Sequence, residues 1–261
     1  MDAQSRQHEI LSLLNQQDRV EVETLSALFS VSSQTIRTDL RELSDRGLLS
    51  RVHGGAVRVG NAETRAYADR RKHNAEGKSA MAQAAADLIP DNCSITLNIG
   101  TSTEHVARAL SAHRDLTVIS NNINIINIMM GGRSKDLILM GGAVRQSDGA
   151  IVGEEAVDFI SRYKTDFAII GASALDPDGA IMDHDLREVS VARAILRNAR
   201  TRILVADGSK FLRSAPVRIC ALDDLDIVIT DRPVPDEFAE AAQRCGTRVL
   251  IAQQNESHEN D

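Results

Sequence analysis

Seven short apolar, β-prone runs recur along most of the chain, at Ile95–Ile99, Leu116–Ile119, Leu137–Met140, Phe167–Ile170, Ile203–Ala206, Ile227–Ile229 and Val249–Ile251. Between them lie stretches whose apolar residues recur at helical spacing: Glu104–Leu110, Ile123–Met130, Glu154–Tyr163, Arg187–Asn198 and Pro235–Arg244. An alanine-rich helix, Met81–Ile89, leads into the series. Strands that read as continuous apolar runs are buried on both faces, and strands separated by helices are joined by crossovers. The pattern therefore predicts an α/β domain built on a mostly parallel sheet. In such sheets ligands bind outside the carboxyl ends of the strands, so the loops that follow the runs are the places to look for chemistry.

The first of these loops is Asn98-Ile99-Gly100-Thr101-Ser102-Thr103-Glu104. Gly100 lets a ligand approach the backbone, and the N–H groups of the helix that starts there point at any anion placed before it. The hydroxyls of Thr101, Ser102 and Thr103 add donors. No Lys follows, so this is not a nucleotide P-loop; the competing reading is an ordinary capped strand-to-helix turn. Asn121 and Asn122 follow the second run and either bind ligand hydroxyls or cap the next helix. Gly141, Gly142 and Arg145 follow the third, with Arg145 a phosphate partner or a member of a surface ion pair. Gly171-Ala172-Ser173 and Asp207-Gly208-Ser209-Lys210 end two more runs, and Lys210 is a second phosphate candidate or a plain exposed lysine. Asp183-His184-Asp185 is nearly contiguous and precedes a helix, which favours capping over metal ligation. No metal, cofactor or catalytic set is expected.

The first 60 residues have a different texture. Residues 4–16, with Ile10, Leu11, Leu13 and Leu14, predict an amphipathic helix; Val20–Val22 alternates like a very short strand; Thr24–Ser30 predicts a second helix. A third helix follows a turn at Val31 and ends near Gly47. Ser32 or Ser33 caps it, and Ile36, Leu40 and Leu43 form one apolar stripe. Gln34, Thr38 and Arg41 fall on the opposite face, with Thr35 and Arg37 on its flanks. Amide, hydroxyl and guanidinium groups are the ones that contact base edges and phosphates in a major groove. Leu48–Arg58 then reads as two short strands around Gly54-Gly55, a pair that permits a tight hairpin. The whole is a winged helix-turn-helix, with Arg51, His53 and Arg58 on or beside the wing.

Charge and composition narrow the reading. The net charge of −7 opposes nonspecific nucleic-acid binding by the whole chain, yet residues 1–60 contribute only −1 of it, with seven Arg against eight acids. A near-neutral module with local arginines suits a reader of specific duplex sites. Aromatic residues are 3% and Trp is absent, which disfavours base stacking on single strands. The three cysteines are scattered and form no C-x-x-C, the pattern of reduced thiols. Neither a signal peptide nor a membrane-length apolar run is apparent, so the expectation is a cytoplasmic protein without a membrane partner. The expected organisation is a DNA-binding domain at 1–58, a linker at 59–75, a sensor domain at 76–255 and a disordered tail at 256–261.

Ser32-x-x-Thr35-Ile36-Arg37-x-Asp39-Leu40, with Arg6 and Ile10 before it and His53-Gly54-Gly55-Ala56 after it, resembles the signature of the DeoR family of bacterial transcription regulators. It departs from that signature at Thr38, where members usually carry Arg or Lys. The order of the later loops is similar to the sensor domain of these regulators, whose fold resembles ribose-5-phosphate isomerase. In that enzyme the Gly-Thr/Ser turn holds the substrate phosphate, which raises Gly100–Thr103 and, less strongly, Lys210 as phosphate ligands. The isomerase's acidic segment is replaced here by Ala172-Ser173-Ala174-Leu175-Asp176 and Ile181-Met182-Asp183-His184, implying binding without turnover. Asn98–Thr101, Ser120–Asn122, Val157–Phe167 and Gly171–Ser173 look like members that answer to glycerol 3-phosphate. The resemblance thus implies a repressor of a carbon-metabolism operon, a dimer or tetramer on double-stranded operator DNA, released by a phosphorylated small molecule. Another sugar phosphate as effector, or an isomerase-like enzyme with an appended DNA-binding module, are the alternatives.

Overall fold

The computed structural model describes residues 3–17, 19–46, 48–58 and 61–252. The chain divides into two compact units, Met1–Arg70 and Arg71–Asp261. The tail expected at 256–261 lies outside the described residues.

The first unit runs α1 (Ala3–Gln17), β1 (Arg19–Glu21), α2 (Val22–Phe29), α3 (Ser33–Asp45), β2 (Leu49–Val52) and β3 (Gly55–Arg58), followed by α4 (Asn61–Lys72). β1, β3 and β2 form a small antiparallel sheet in that order, with the β2–β3 hairpin as the wing. Of the Gly54-Gly55 pair, only Gly54 takes a positive φ, 78°. Gly55 is needed for a different reason: a Cβ there would lie 2.0 Å from the Val20 carbonyl oxygen, so any side chain would push β3 off β1. Val22, expected to end the short strand, instead opens α2.

Ile10, Leu14, Leu25, Ile36, Leu40, Leu43 and Leu49 form the core of this unit. One ion pair lies within it. Asp39, on the inner side of α3, is 3% exposed and receives Arg6 Nε at 2.6 Å and a second guanidinium nitrogen at 3.1 Å. Gln7 joins them, donating to Asp39 at 3.4 Å and to Glu42 at 2.7 Å. The pair fixes α3 against α1 across 33 residues of chain. Removing one partner of a buried, hydrogen-bonded pair strands the other charge.

The second unit begins with α5 (Ala75–Ala86) and continues β4 (Ser94–Leu97), α6 (Thr101–Leu110), β5 (Thr117–Ser120), α7 (Ile123–Met129), β6 (Asp136–Leu139), α8 (Glu154–Ile160), β7 (Thr165–Ile170), β8 (Ala174–Leu175), β9 (Ala180–Asp183), α9 (Leu186–Arg197), β10 (Ala199–Val205), β11 (Val217–Ala221), β12 (Ile227–Thr230), α10 (Asp236–Cys245) and β13 (Arg248–Ile251). The large sheet has the order β13-β12-β10-β7-β4-β5-β6, and every neighbouring pair is parallel. Each of the seven apolar runs supplies one strand of it. Two apolar layers bury the sheet, one centred on Leu97, Val106, Val118 and Ile203, the other on Ile170, Ile195, Leu204 and Phe238.

Sequence periodicity did not register β8, β9 and β11, which form a separate antiparallel sheet in the order β11-β9-β8. Two of them are joined through Pro177-Asp178-Gly179, and β8 has only two residues, too few for an alternation to register. α5 starts at Ala75, six residues before the helix expected there, because Gly77 and Lys78 break the apolar pattern while both are buried. Cys93 and Cys220 are thiols that burial pushes up to about 11 and about 12, so both stay protonated and unreactive near neutrality.

Asp39→Ala is expected to destabilise the first unit by roughly 3–5 kcal/mol. Hydrogen–deuterium exchange in the full-length protein should show the α1 and α3 amides exchanging faster while the large sheet stays protected. Unchanged exchange in α1 would show that the pair does not hold the helix.

Candidate functional site

The outer face of α3 is built as its sequence pattern requires. Ser32 caps the helix by accepting Thr35 N–H at 3.1 Å, and its hydroxyl also bonds the Thr35 hydroxyl at 2.8 Å. Thr38 donates to the Gln34 carbonyl at 3.1 Å. These hydroxyls therefore shape the helix, while Gln34, Arg37 and Arg41 are exposed with side chains pointing away from the core. Ser33 and Thr35 are half-buried beside them, and Arg51 and His53 are exposed on the wing. The Arg58 side chain lies outside the described residues. Because Arg6 neutralises Asp39 from within, that acid does not offset the arginines of the outer face. Local sequence spacing does not show which way a lone acid points.

In the second unit the chain lays β4, β5 and β6 towards one edge, then returns to lay β7, β10, β12 and β13 towards the other. The order reverses between β4 and β7, and this switch point is where α/β sheets open a crevice at their carboxyl end. Asn98–Gly100 and Gly171–Ser173 flank it. Gly100 has φ 139° and caps α6, whose first N–H groups, from Thr101 to Thr103, have no acceptor within the helix. Thr103 donates its hydroxyl to the Gly100 carbonyl at 2.8 Å. Among the described residues the Thr101 and Ser102 hydroxyls make no hydrogen bond. Asn98 is 5% exposed, and its side-chain oxygen likewise has no partner among the described residues.

Asn121 and Asn122 are spent on the protein. Asn121 accepts Ile99 N–H at 3.1 Å and donates to the Ile151 carbonyl at 3.1 Å. Asn122 caps α7, accepting Asn124 N–H at 2.7 Å, and donates to the Asp148 carbonyl at 3.0 Å. Of the two sequence readings for this pair, the geometry supports capping and scaffolding: they stitch the end of β4 to the loop at 145–151. Arg145 is similarly committed, to Asp148 at 2.7 Å, Glu188 at 2.6 Å and Asp185 at 3.6 Å. Its hydrogen bond to Asp148 and the charges around it raise its pKa, and burial raises that of Glu188. Asp185 caps α9 by accepting Arg187 N–H at 2.9 Å, the capping role expected of the Asp183–Asp185 segment.

Gly141 and Gly142 follow the edge strand β6, two strands and so about 10 Å from β4. A Cβ on Gly142 would meet Ile151 at 2.8 Å, so its role includes seating the 145–151 loop. Lys210 lies in a 3-10 turn, Gly208–Leu212, at the carboxyl end of β10, two strands from β4 on the other side. Asp207 caps that turn, and Asp231 anchors it by accepting Gly208 N–H at 2.6 Å.

Three residues near the Gly100 turn escaped the sequence reading. Lys78 is 3% exposed and donates to the His73 carbonyl at 2.6 Å, a buried ammonium on the helix that packs against α6. Glu104, 1% exposed in the first turn of α6, meets Arg71 at 3.5 Å and Arg108 at 3.8 Å. His105 follows it and bonds Ser79 at 3.2 Å. Burial, then the charges of Arg108, Lys78 and Arg71, lower His105 from 6.5 to about 4. Arg71, Arg108 and Lys78 thus all act on the start of α6, where the two arginines hold one carboxylate.

These features carry the marks of a regulator with a DNA-reading module and a ligand-binding α/β module, and the comparisons define the class. The DeoR-like helix-turn-helix domain matches residues 6–61, and the DeoR C terminal sensor domain matches residues 73–232. The chain belongs to the DeoR family of transcription regulators. It is 39% identical to the glycerol-3-phosphate regulon repressor of Haemophilus influenzae, over 94% of this chain and 96% of that protein. Identity to the repressor of the same name in Escherichia coli is 40%, over 90% and 93% of the two chains. The Escherichia coli HTH-type transcriptional repressor CsqR is 33% identical over 96% of each. Among solved structures, ribose 5 phosphate isomerase A from Neisseria gonorrhoeae overlaps 51% of this chain and 52% of its own, at 15% identity and a TM-score of 0.35. The strand order, and not this partial overlap, defines the fold. No described helix is long and apolar enough to cross a membrane.

The unfolded chain binds a proton on His105 near pH 6.5 that the folded chain refuses until about 4. Stability from this group is therefore full above pH 6.5, falls as the pH is lowered towards 4, and changes no further below. In His105→Gln, melting temperature should depend less on pH across that window than in the parent; identical slopes would refute the buried neutral imidazole.

Proposed function

We propose that this protein is a metabolite-responsive repressor: the first unit grips operator DNA through α3 and the wing, and the second binds a phosphorylated effector that weakens the grip. One observation carries the reading. In a single chain, an exposed Gln34/Arg37/Arg41 face coexists with an anion-ready turn at the switch point of a parallel sheet. In the proposed complex, Arg37 and Arg41 take base edges or phosphates, Gln34 a base edge, and Arg51 and His53 the flanking backbone. The effector phosphate sits on the first N–H groups of α6, with Thr101 and Ser102 adding hydroxyls and Lys78 and Lys210 adding charge. Asn121, Asn122, Gly141, Gly142 and Arg145 form the frame around it.

Glycerol 3-phosphate is the proposed effector, supported by the names of the relatives that are 39% and 40% identical over at least 90% of this chain. A different sugar phosphate is the second reading. It is left open by equally full-length matches to repressors whose names carry no glycerol 3-phosphate, such as the putative aga operon transcriptional repressor of Escherichia coli O157:H7 at 30% identity. A single reading head contacts few base pairs, so the working form is proposed to be a dimer or tetramer on repeated half-sites, in the cytoplasm with its DNA. Binding of an effector lowers operator affinity only if the effector prefers the DNA-free arrangement.

Arg37→Ala and Arg41→Ala should each weaken operator binding about 5- to 150-fold in a gel shift and flatten its salt dependence. Wild-type binding in both would remove α3 from the groove. Thr101→Asp, which sets a negative charge where the phosphate belongs, should leave operator binding intact and abolish its release by glycerol 3-phosphate. A thermal-shift panel of phosphorylated metabolites decides between effectors, since the true one raises the melting point by mass action.

A further inference from the structure

At the opposite end of the large sheet, the amino ends of β10 and β12 border a cleft of about 410 Å3. Arg193 and Arg197 reach it from the last turns of α9, Arg202 from the middle of β10 and Arg218 from β11. Asp223 and Asp224 come from the turn before β12. Lys210 and the Gly100 turn follow the carboxyl ends of their strands, so the second half of β10, from Arg202 to Val205 and about 10 Å long, separates this cleft from the effector loops.

The four guanidiniums have different duties. Arg193 donates to the carbonyls of Ile219 at 2.9 Å and Arg218 at 2.7 Å, and so holds β11 to α9. Arg202 forks onto Asp226 at 3.0 and 3.1 Å. Arg197 and Arg218 are exposed, and among the described residues their side chains make no hydrogen bond or ion pair. With Arg202 paired to Asp226, Arg193, Arg197 and Arg218 outnumber Asp223 and Asp224, so the concavity is locally positive and offers planar, multi-donor groups to an anion.

The remaining lining restricts the ligand. The volume suits a metabolite. No aromatic side chain lines the cleft, so it offers no platform for a nucleobase. Asp223 and Asp224 disfavour a second anionic group and accept hydrogen bonds from hydroxyls; Asp224 already accepts Ala221 N–H at 3.1 Å, leaving Asp223 the freer acceptor. We propose that this cleft is a second ligand site for a small, non-aromatic anion bearing hydroxyl groups, a polyol phosphate or a hydroxy acid. Arg197 and Arg218 hold its anionic head and Asp223 its hydroxyls.

The test is calorimetric titration of the full-length protein with glycerol 3-phosphate, fructose 6-phosphate, gluconate, inorganic phosphate and AMP. It uses the wild type, Arg197→Ala/Arg218→Ala, Asp223→Asn and Thr101→Asp, each checked for an unchanged circular dichroism spectrum. At least one hydroxylated anion should bind the wild type and Thr101→Asp equally. It should bind about tenfold or more weakly once both arginines are removed and more weakly in Asp223→Asn. The proposal falls if no hydroxylated probe binds the wild type, or if all binding is lost in Thr101→Asp, which would leave the effector loops as the one site. It falls equally if the double variant binds every probe as the wild type does, or if inorganic phosphate binds the cleft as tightly as the hydroxylated anions.

Discussion

The second unit depends on β4 lying between β5 and β7, both parallel to it. That placement makes the sheet change direction at one line, and along that line the carboxyl-end loops diverge and leave room. Asn121 enforces the arrangement: its buried amide takes Ile99 N–H and gives to the Ile151 carbonyl, so the end of β4 and the 145–151 loop cannot drift apart without stranding a polar group. Gly100 then turns the chain sharply enough for α6 to start at the line itself. The shape of this turn is set by hydrogen bonds made within the protein.

Charge is managed in both units by pairing it before it is buried. Asp39 is met by Arg6, Glu104 by Arg71 and Arg108, and Arg145 by three carboxylates. Each arrangement costs desolvation and returns orientation more than stability. Arg37 and Arg41 on α3, and Arg197 and Arg218 at the far end of the sheet, make no such pair among the described residues.

The sheet was legible because strands buried on both faces write uninterrupted apolar runs, and the recognition helix because Ile36, Leu40 and Leu43 leave Gln34 and Arg37 on the other side. The antiparallel trio β8, β9 and β11 was not, since its strands are short and a Pro-Asp-Gly turn hides their continuity. At the candidate site, Gly100–Ser102 stands out in the sequence because a glycine followed by hydroxyls at a strand end has a local meaning. Lys78 and Glu104 could not: their partners come from other elements, and a single ionic residue in a helical stretch reads as solvated surface. For Asn121 and Asn122 the sequence leaves the chemistry open, because an amide's spacing does not say whether its partner is a ligand or the protein.

The Arg6–Asp39 pair bears on how far the outward surface of α3 can vary. α3 is held from within by Asp39, Ile36, Leu40 and Leu43, and none of these side chains is on its outward surface. Gln34, Arg37, Thr38 and Arg41 carry little of the packing, so they can be exchanged for other letters while the scaffold keeps its shape. A lineage of duplicated copies is thereby free to vary this outward surface without refolding the helix that carries it.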